Sequence, residues 1–325
     1  MNFVKIKGDK MIELKCKMCG GTIRFKQGET IGVCDSCGTK MSLPRLDDEK
    51  LKTQFRKGKS VGEKTVRQKK FKKIAAVAAS IICMCIVFFV LLTNVIVPSL
   101  KHKALCLKLN SLNVGDVVEF GKYEQDNNTS NGKEDIEWNV LAKEDNRVLL
   151  ISKYALDCKQ YHPIWSIATW ETCSLRQWLN GTFIDSAFDG AEKSIVKETE
   201  VLAEKEIDIY EYEEGEKIPK YSIENPGNTT TDRVFLLSIT EAEKYFKSDE
   251  DRKCVPTMYA IAKGAYTNSS ETRTGEPTCW WWLRTPGYNQ IDGTGTIIGG
   301  SVYCGGGSVR YGDVCVRPAM WVSTK

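Results

Sequence analysis

Four cysteines near the start of the chain have the types and spacing to do chemistry. They occur as Cys16-Lys-Met-Cys19-Gly20 and, fourteen residues on, Cys34-Asp-Ser-Cys37-Gly38. Two CxxC pairs supply four thiolates, the tetrahedral sulfur set of a structural site for one Zn2+ ion, with Cys16, Cys19, Cys34 and Cys37 as ligands. A spacing of two brings both sulfurs of a pair onto one metal. The glycine that follows lets each turn aim backbone N–H groups at sulfur. Four protein ligands leave no open position, so the ion is read as structural and non-catalytic. Two disulfides, the competing arrangement, conflict with a reducing cytoplasm.

A second group lies near the C-terminus. Trp280-Trp281-Trp282-Leu283-Arg284 offers aromatic faces of the kind that bind sugars and cations. Successive strand residues face opposite ways, so at most two of the tryptophans share a surface. Trp280 and Trp282 are therefore ligand-binding candidates, and Trp281 is assigned to the core. Arg284 and Arg317 are candidates for anion binding. The competing assignment, which the residues favour, makes them buried structural arginines bonded to backbone carbonyls or to an acid such as Asp232.

Beyond residue 100 there are seven cysteines, Cys106, Cys158, Cys173, Cys254, Cys279, Cys304 and Cys315. An odd number leaves at least one unpaired, and sequence does not fix the partners. Cys158 with Cys173 is one pairing the chain allows; buried free thiols are the alternative. His102 and His162 are the only histidines, and no nucleophile motif surrounds a Ser or Cys. The carboxylates single out no acid–base pair, and the C-terminal glycines precede no helix that would cradle phosphate. No catalytic residue is assigned.

These candidates fall on either side of residues 74–97, twenty-four residues without a charge. As a helix at about 1.5 Å per residue they would reach roughly 36 Å, enough to span a hydrocarbon core of about 30 Å with some tilt. Lys64, Arg67, Lys69, Lys70, Lys72 and Lys73 precede the stretch; Lys101, His102 and Lys103 follow it. Basic flanks stay on the cytoplasmic side, which predicts a single-pass cell-membrane protein, N-terminus inside and C-terminal domain extracellular. More than seventy residues precede the stretch, which argues against a cleaved signal peptide. Residues 1–100 hold 20 Lys and Arg against 8 Asp and Glu, whereas residues 101–325 hold 26 against 34. The basic part suits anionic lipid at the inner leaflet. The acidic part argues against nucleic acid as a partner through a general positive field.

The chain is accordingly divided into a small β zinc ribbon (11–44), a basic juxtamembrane linker with fluctuating helix (45–73), a transmembrane helix (74–97), a juxtamembrane stretch (98–113) and an α+β ectodomain (114–325). Within the ribbon, residues 22–25 and 30–33 read as two strands joined across Gln27-Gly28-Glu29. The ectodomain opens as a β-meander, with strands at 114–121, 136–141 and 147–152. Its middle holds a helix at 174–179, capped by Ser174 and stopped by Asn180-Gly181, then a second short helix or two turns over 183–188 and 191–197. The acidic run 198–216 reads as partly exposed strand and loop. An apolar strand at 234–237 precedes a helix opened by the capping box Thr240-Glu-Ala-Glu243. The glycine-punctuated end, to Val316-Arg317-Pro318-Ala319, reads as hairpins with bulges.

Several of these motifs mark a resemblance. Residues 16–44, Cys16-Lys-Met-Cys-Gly-Gly-Thr through Cys37-Gly-Thr-Lys-Met-Ser-Leu-Pro, are similar to zinc ribbons that open many bacterial membrane proteins of unknown role. Further on, Tyr123-Glu-Gln-Asp-Asn-Asn, Leu150-Ile-Ser-Lys-Tyr-Ala-Leu-Asp-Cys158, Cys173-Ser-Leu-Arg-Gln-Trp-Leu-Asn180, Asp232-Arg-Val-Phe-Leu-Leu-Ser238, Trp281-Trp-Leu-Arg284 and Val316-Arg-Pro-Ala319 follow one another in an order that resembles DUF6273, a domain of unknown function found widely in Firmicutes. The resemblance covers residues 115–322. The order of helix, Trp-rich strand, glycine-rich hairpin and Val-Arg-Pro also resembles, at a lower level, C-type-lectin-like and formylglycine-generating-enzyme-like folds. Glu276-Pro277-Thr278 departs from the lectin calcium signature, which argues against calcium-dependent sugar binding.

The function expected is a membrane-anchored module without catalysis. Its ectodomain would engage an extracellular ligand or cell-wall component, while the ribbon recruits a cytoplasmic protein. The alternative is an extracellular enzyme acting on glycan or protein at the Trp/Arg/Gly-rich C-terminal region.

Overall fold

The computed structural model describes residues 5–6, 11–26, 28–43, 48–208, 210–213, 216–218, 221–287 and 293–325. Residue 27 of the expected ribbon turn, residue 44 of the ribbon, residues 45–47 of the linker and residues 209, 214 and 215 of the acidic run lie outside them. The chain is mixed α and β and divides into two compact units, Met1–Val87 and Phe88–Lys325.

In the first unit, strands Met11–Lys15 and Thr22–Lys26 pair antiparallel around one CxxC, and Ile31–Val33 pairs with Lys40–Ser42 around the other. The strands expected between the cysteine pairs form, but each takes the neighbour across its own cysteine turn as partner. A single bridge, Ile23 to Cys34, joins the two hairpins. Local closure explains this, because each hairpin needs only a short loop. Leu14, Ile23 and Phe25 with Cys16 and Cys34 form the small core.

A helix runs from Asp48 to Leu91, passes through one π-turn at Leu92–Ile96 and continues as Val97–Asn110. The turn has a local cause. Pro98 has no N–H to give the carbonyl four residues back. Side chains serve the carbonyls one turn earlier: Thr93 Oγ1 donates to Phe89 O at 2.9 Å and Asn94 Nδ2 to Val90 O at 2.9 Å. Among the described residues, Gln68–Asn110 is the one helix long and apolar enough to cross a membrane, and none of its apolar window is covered by the rest of the chain. The fluctuating helix expected in the linker is here continuous helix from Asp48, and the juxtamembrane stretch, for which no element was expected, is helical to Asn110.

The second unit is built on two sheets. One is antiparallel, in the order Ala319–Ser323, Arg147–Ser152, Glu134–Glu144, Val117–Tyr123. The other, of seven strands, has Gly293–Ile298 between Ser301–Ser308 and Trp281–Pro286, and ends in Cys315–Val316 and Asp157–Cys158. The chain passes between sheets at two neighbouring places, after Ser152 and at Arg317-Pro318. Short helices cover the core, in which Trp138, Phe183, Trp281 and Trp282 are fully buried.

Three local expectations change. Helix Ser174–Trp178 is capped by Cys173, whose sulfur accepts from Arg176 N at 3.4 Å, and a π-turn at Leu179–Phe183 carries the chain through Asn180-Gly181 into helix Ile184–Ala187. Helix Ile239–Tyr245 has its capping box at Ser238 and Glu241, two residues before the expected one. Residues 234–237 are buried but form no ladder; only Phe235 bridges Ala319. Side chains serve their backbone instead. Asn180 Nδ2 donates to Val234 O at 2.8 Å and its Oδ1 accepts from Arg233 N, while Arg284 Nη1 donates to Leu236 O at 2.9 Å.

Helix Val97–Asn110 packs onto this unit through buried Cys106 and Leu109. Lys101 pairs with Asp189 and, at 3.0 Å, with Glu192, and His102 Nδ1 meets Ser194 Oγ at 2.9 Å. Asp189 is the N-cap of helix Gly190–Ile195 and shares a capping box with Glu192. Partial burial pushes the Asp189 carboxyl up, but the Lys101 ammonium and the Glu192 N–H outweigh it and hold the pKa below its ordinary value.

Two outcomes are expected. A depressed carboxylate contributes stability above its unfolded pKa, about 3.9, and loses it as pH falls through the lower folded value. Amide protection factors along 101–110, taken against the intrinsic exchange rate at each pH, should therefore fall on acidification below pH ~4, and Asp189→Asn should lower them already at neutral pH. Phe183→Ala, at a fully buried ring between Tyr123, Trp178 and Phe188, should cost about 3–5 kcal/mol in chemical denaturation of the detergent-solubilised chain.

Candidate functional site

The structure brings Cys16, Cys19, Cys34 and Cys37 together, with all four sulfurs within 4.8 Å of one another. Cys16–Cys37 is 3.8 Å, Cys19–Cys34 3.5 Å and Cys19–Cys37 3.3 Å. A zinc–sulfur bond of about 2.3 Å gives a tetrahedron with edges of about 3.8 Å, so the donor set fits a metal ion of zinc's size and softness. The two cysteine turns repeat each other. Gly20 N donates to Cys16 O at 2.9 Å and Gly38 N to Cys34 O at 3.0 Å. Both glycines sit at left-handed φ, +76° and +74°, which a side chain would strain. Gly21 N reaches Cys19 Sγ at 3.4 Å, and the Thr39 hydroxyl lies 3.1 Å from Cys37 Sγ. That hydroxyl and the Thr39 N–H bring the Cys37 thiol down to about 6, whereas at Cys19 the Gly21 N–H is outweighed by hydrogen bonds with Cys37 and Cys34, which push that thiol up to about 12, so the crowded sulfurs hold their protons unevenly.

The C-terminal candidates lie mostly inside the second unit. Trp282 is buried with its Nε1 on Lys159 O at 2.8 Å, and Trp281 gives its Nε1 to Arg252 O at 3.1 Å. Trp280 is partly exposed and stacks with Tyr266, ring centres 4.5 Å apart. Arg284 is buried and forks onto Glu241, Nη2 to Oε1 at 3.0 Å. Arg317 is buried with Nε on Ser152 O at 3.0 Å and Nη1 on Arg252 O at 3.4 Å, and its guanidinium lies 5.0 Å from the Trp281 ring centre. No carboxylate pairs with Arg317 among the described residues. Asp232, buried, serves Arg176 at 2.7 Å and Trp170 Nε1 at 2.8 Å instead. His162 accepts from Ser174 N through Nδ1 at 3.3 Å, next to the cap of helix Ser174–Trp178.

Arg284 also borders a shallow hollow of about 10 Å3, room for about one water molecule, with Trp170, Leu202, Glu204, Asn228 and Thr285 among its other walls. Glu204 accepts from the hydroxyls of Ser238, at 2.6 Å, and Thr285. Asn228 is held by Glu171, its N on Oε2 at 3.0 Å. Leu202 stands exposed at the rim. Sequence reasoning found only Arg284 here. Glu204 is one acid in an acidic run, and Trp170, Leu202 and Asn228 come from separate segments with no shared spacing.

A second arrangement the sequence did not disclose lies beside Arg317. Cys254, Cys279, Cys315 and Cys158 form a line of interacting thiols, each buried and none in a disulfide. Cys173, offered above as a partner for Cys158, is instead occupied as a helix cap.

Elemental analysis of the full chain should find one metal ion, expected to be zinc. Cys34→Ser should leave well under half an equivalent and expose backbone amides of 11–43 to exchange.

No curated protein and no solved structure matches the chain. The family model described as "Domain of unknown function (DUF6273)" matches residues 145–324, leaving the strands Val117–Tyr123 and Glu134–Glu144 outside the matched span. Running from the loop before strand Arg147–Ser152 to the strand Ala319–Ser323 that pairs with it, that match takes in more than half of the sequence, and the chain belongs to the DUF6273 family.

Proposed function

We propose that this is a single-pass membrane protein whose zinc-bearing N-terminal unit faces the cytoplasm and whose DUF6273 domain, outside, binds a ligand or cell-envelope component. The observation that carries the reading is the helix. Its apolar side chains, among them Ile82, Ile86, Phe88 and Phe89, stand exposed in the chain's own fold. An apolar face of that size needs another phase to cover it, and a bilayer of about 30 Å does so. The basic residues before it and their scarcity after it favour the N-terminus inside.

The hollow beside Arg284 supports recognition as the task. Its ionisable groups are engaged by the fold, Arg284 by Glu241 and Glu204 by two hydroxyls. That arrangement gives a fixed polar surface beside the exposed Leu202, against which a polar group of an envelope glycan or peptide can lie. The four-sulfur site, closed if zinc fills it, holds the small N-terminal unit in shape for a partner inside the cell.

Full-length protein in lipid nanodiscs should bind at least one probe in an array of envelope glycans and peptides. Leu202→Glu and Asn228→Ala should each weaken that binding at least tenfold while leaving thermal stability unchanged. Absence of binding to every probe, or binding untouched by both variants, would sink the reading.

A further inference from the structure

We infer that Cys254–Cys279 and Cys158–Cys315 are two cross-strand disulfides of the exported protein, lying side by side in the core beneath Arg317. The inference rests on the proposed placement of residues 114–325 outside the membrane.

Register carries the argument. Cys315 stands directly opposite Cys158 in the antiparallel pairing of Cys315–Val316 with Asp157–Cys158. Cys254 stands directly opposite Cys279 in an antiparallel bridge. Residues directly opposed in antiparallel strands have Cα atoms about 4.5–5.5 Å apart with both side chains on one face. A disulfide accepts Cα separations of about 4.4–6.8 Å, so both pairs lie within range, and closure needs only that opposed Cβ atoms, about 4.5–5.5 Å apart, draw together to about 3.5–4.5 Å. The two pairs differ in type. Cys279 N donates to Cys254 O at 2.9 Å, which marks a hydrogen-bonded position, whereas Lys159 N donates to Val314 O at 3.4 Å, which frames Cys158 and Cys315 as a non-hydrogen-bonded one. Cys279 and Cys315 interact where the pairs meet, but Cys315 is in parallel register with Trp281, two residues on, and gives its N–H to Trp280 O at 2.8 Å, so no antiparallel register sets it opposite Cys279.

The chemistry is thiol–disulfide exchange. A thiolate attacks the disulfide of an envelope dithiol oxidant, or of a low-molecular-weight disulfide, and expels one thiolate. The opposing cysteine, losing its proton to solvent, then displaces the second. For each pair two S–H bonds are lost and one S–S bond is made, while the oxidant's S–S bond breaks and takes up the two electrons and two protons to give two thiols. Because all four are buried in the finished fold, exchange belongs to the period before the core closes.

The test uses the full chain expressed in cells, with thiols blocked by N-ethylmaleimide in denaturant at lysis, then digested without reductant and mapped by mass. The expected result is peptides joined through Cys254–Cys279 and Cys158–Cys315, with Cys106, Cys173 and Cys304 blocked as thiols. A Cys158–Cys173 or Cys279–Cys315 link overturns the inference. If all seven are blocked, labelling of intact cells with a membrane-impermeant amine reagent separates the causes. Labelled lysines in 114–325 place the domain outside and overturn the inference. Protected lysines defeat the orientation instead, and the pairing is then decided by refolding the detergent-solubilised chain from urea with oxidised glutathione. The two predicted links sustain it; any other set, or none, ends it.

Discussion

Arg317 and Pro318 stand where the chain leaves one sheet and enters the other, and the C-terminal unit depends on that joint. Strand Cys315–Val316 belongs to the seven-stranded sheet and Ala319–Ser323 to the four-stranded one. Two residues make the change. Pro318 has no N–H, so no ladder can be continued through it, but its carbonyl accepts from Ser152 N at 3.0 Å. Arg317 extends from the same place to Ser152 O and Arg252 O. The earlier crossing, between Ser152 and Asp157, is thus held to the later one by both residues. Trp281 then packs its ring under the guanidinium, at 5.0 Å, and passes its Nε1 to the same Arg252 carbonyl.

The other end of the unit is fixed by a different constraint. Helix Val97–Asn110 ends in Ser111, whose N–H turns back to the carbonyls of Leu107 and Lys108. Leu109 and Cys106 are buried, and Lys101 and His102 are tied to the helix Gly190–Ile195. The segment after the apolar stretch is therefore a docked helix and not a free tether. Lys101 and His102 couple it to Gly190–Ile195, so a displacement of either helix is shared by the other.

How much of this could be read from sequence depends on whether a feature is local. The two CxxC turns, the apolar stretch and the strands at 147–152 and 281–286 announce themselves within a few residues. Helix caps did not. Ser238 and Thr240 are both acceptable caps with an acid three residues on, and only the turn preceding Ile239 decides between them. Cys173 caps with a sulfur, outside the usual Ser, Thr, Asp and Asn set. The run 234–237 is apolar because it is buried on all sides, and burial alone does not specify a ladder. Its hydrogen bonds come from Asn180, Arg284 and Ala319, far away along the chain. The hollow and the thiol line are hidden for the same reason. Each collects residues from three or four segments, so no spacing connects them.

The buried arginine shows why such features escape a residue-by-residue reading. A guanidinium removed from water without a carboxylate carries a desolvation penalty of several kcal/mol. Burial lowers the Arg317 pKa accordingly. Lysine could not take its place on equal terms, because the acceptors are two carbonyls at set positions and two aromatic faces, Trp281 at 5.0 Å and Phe246 at 5.2 Å. A planar, delocalised fork can donate along its edge to Ser152 O and Arg252 O while its face lies on the rings; a compact ammonium, more strongly hydrated, satisfies one set at the expense of the other. Ser152 O is available because the chain leaves its ladder there, and Arg252 O because the short helix Asp249–Arg252 ends there. The cost of burying the charge and these two breaks in regular structure therefore offset each other: the breaks supply acceptors that would otherwise be orphaned, and the arginine supplies the donors that let them be buried.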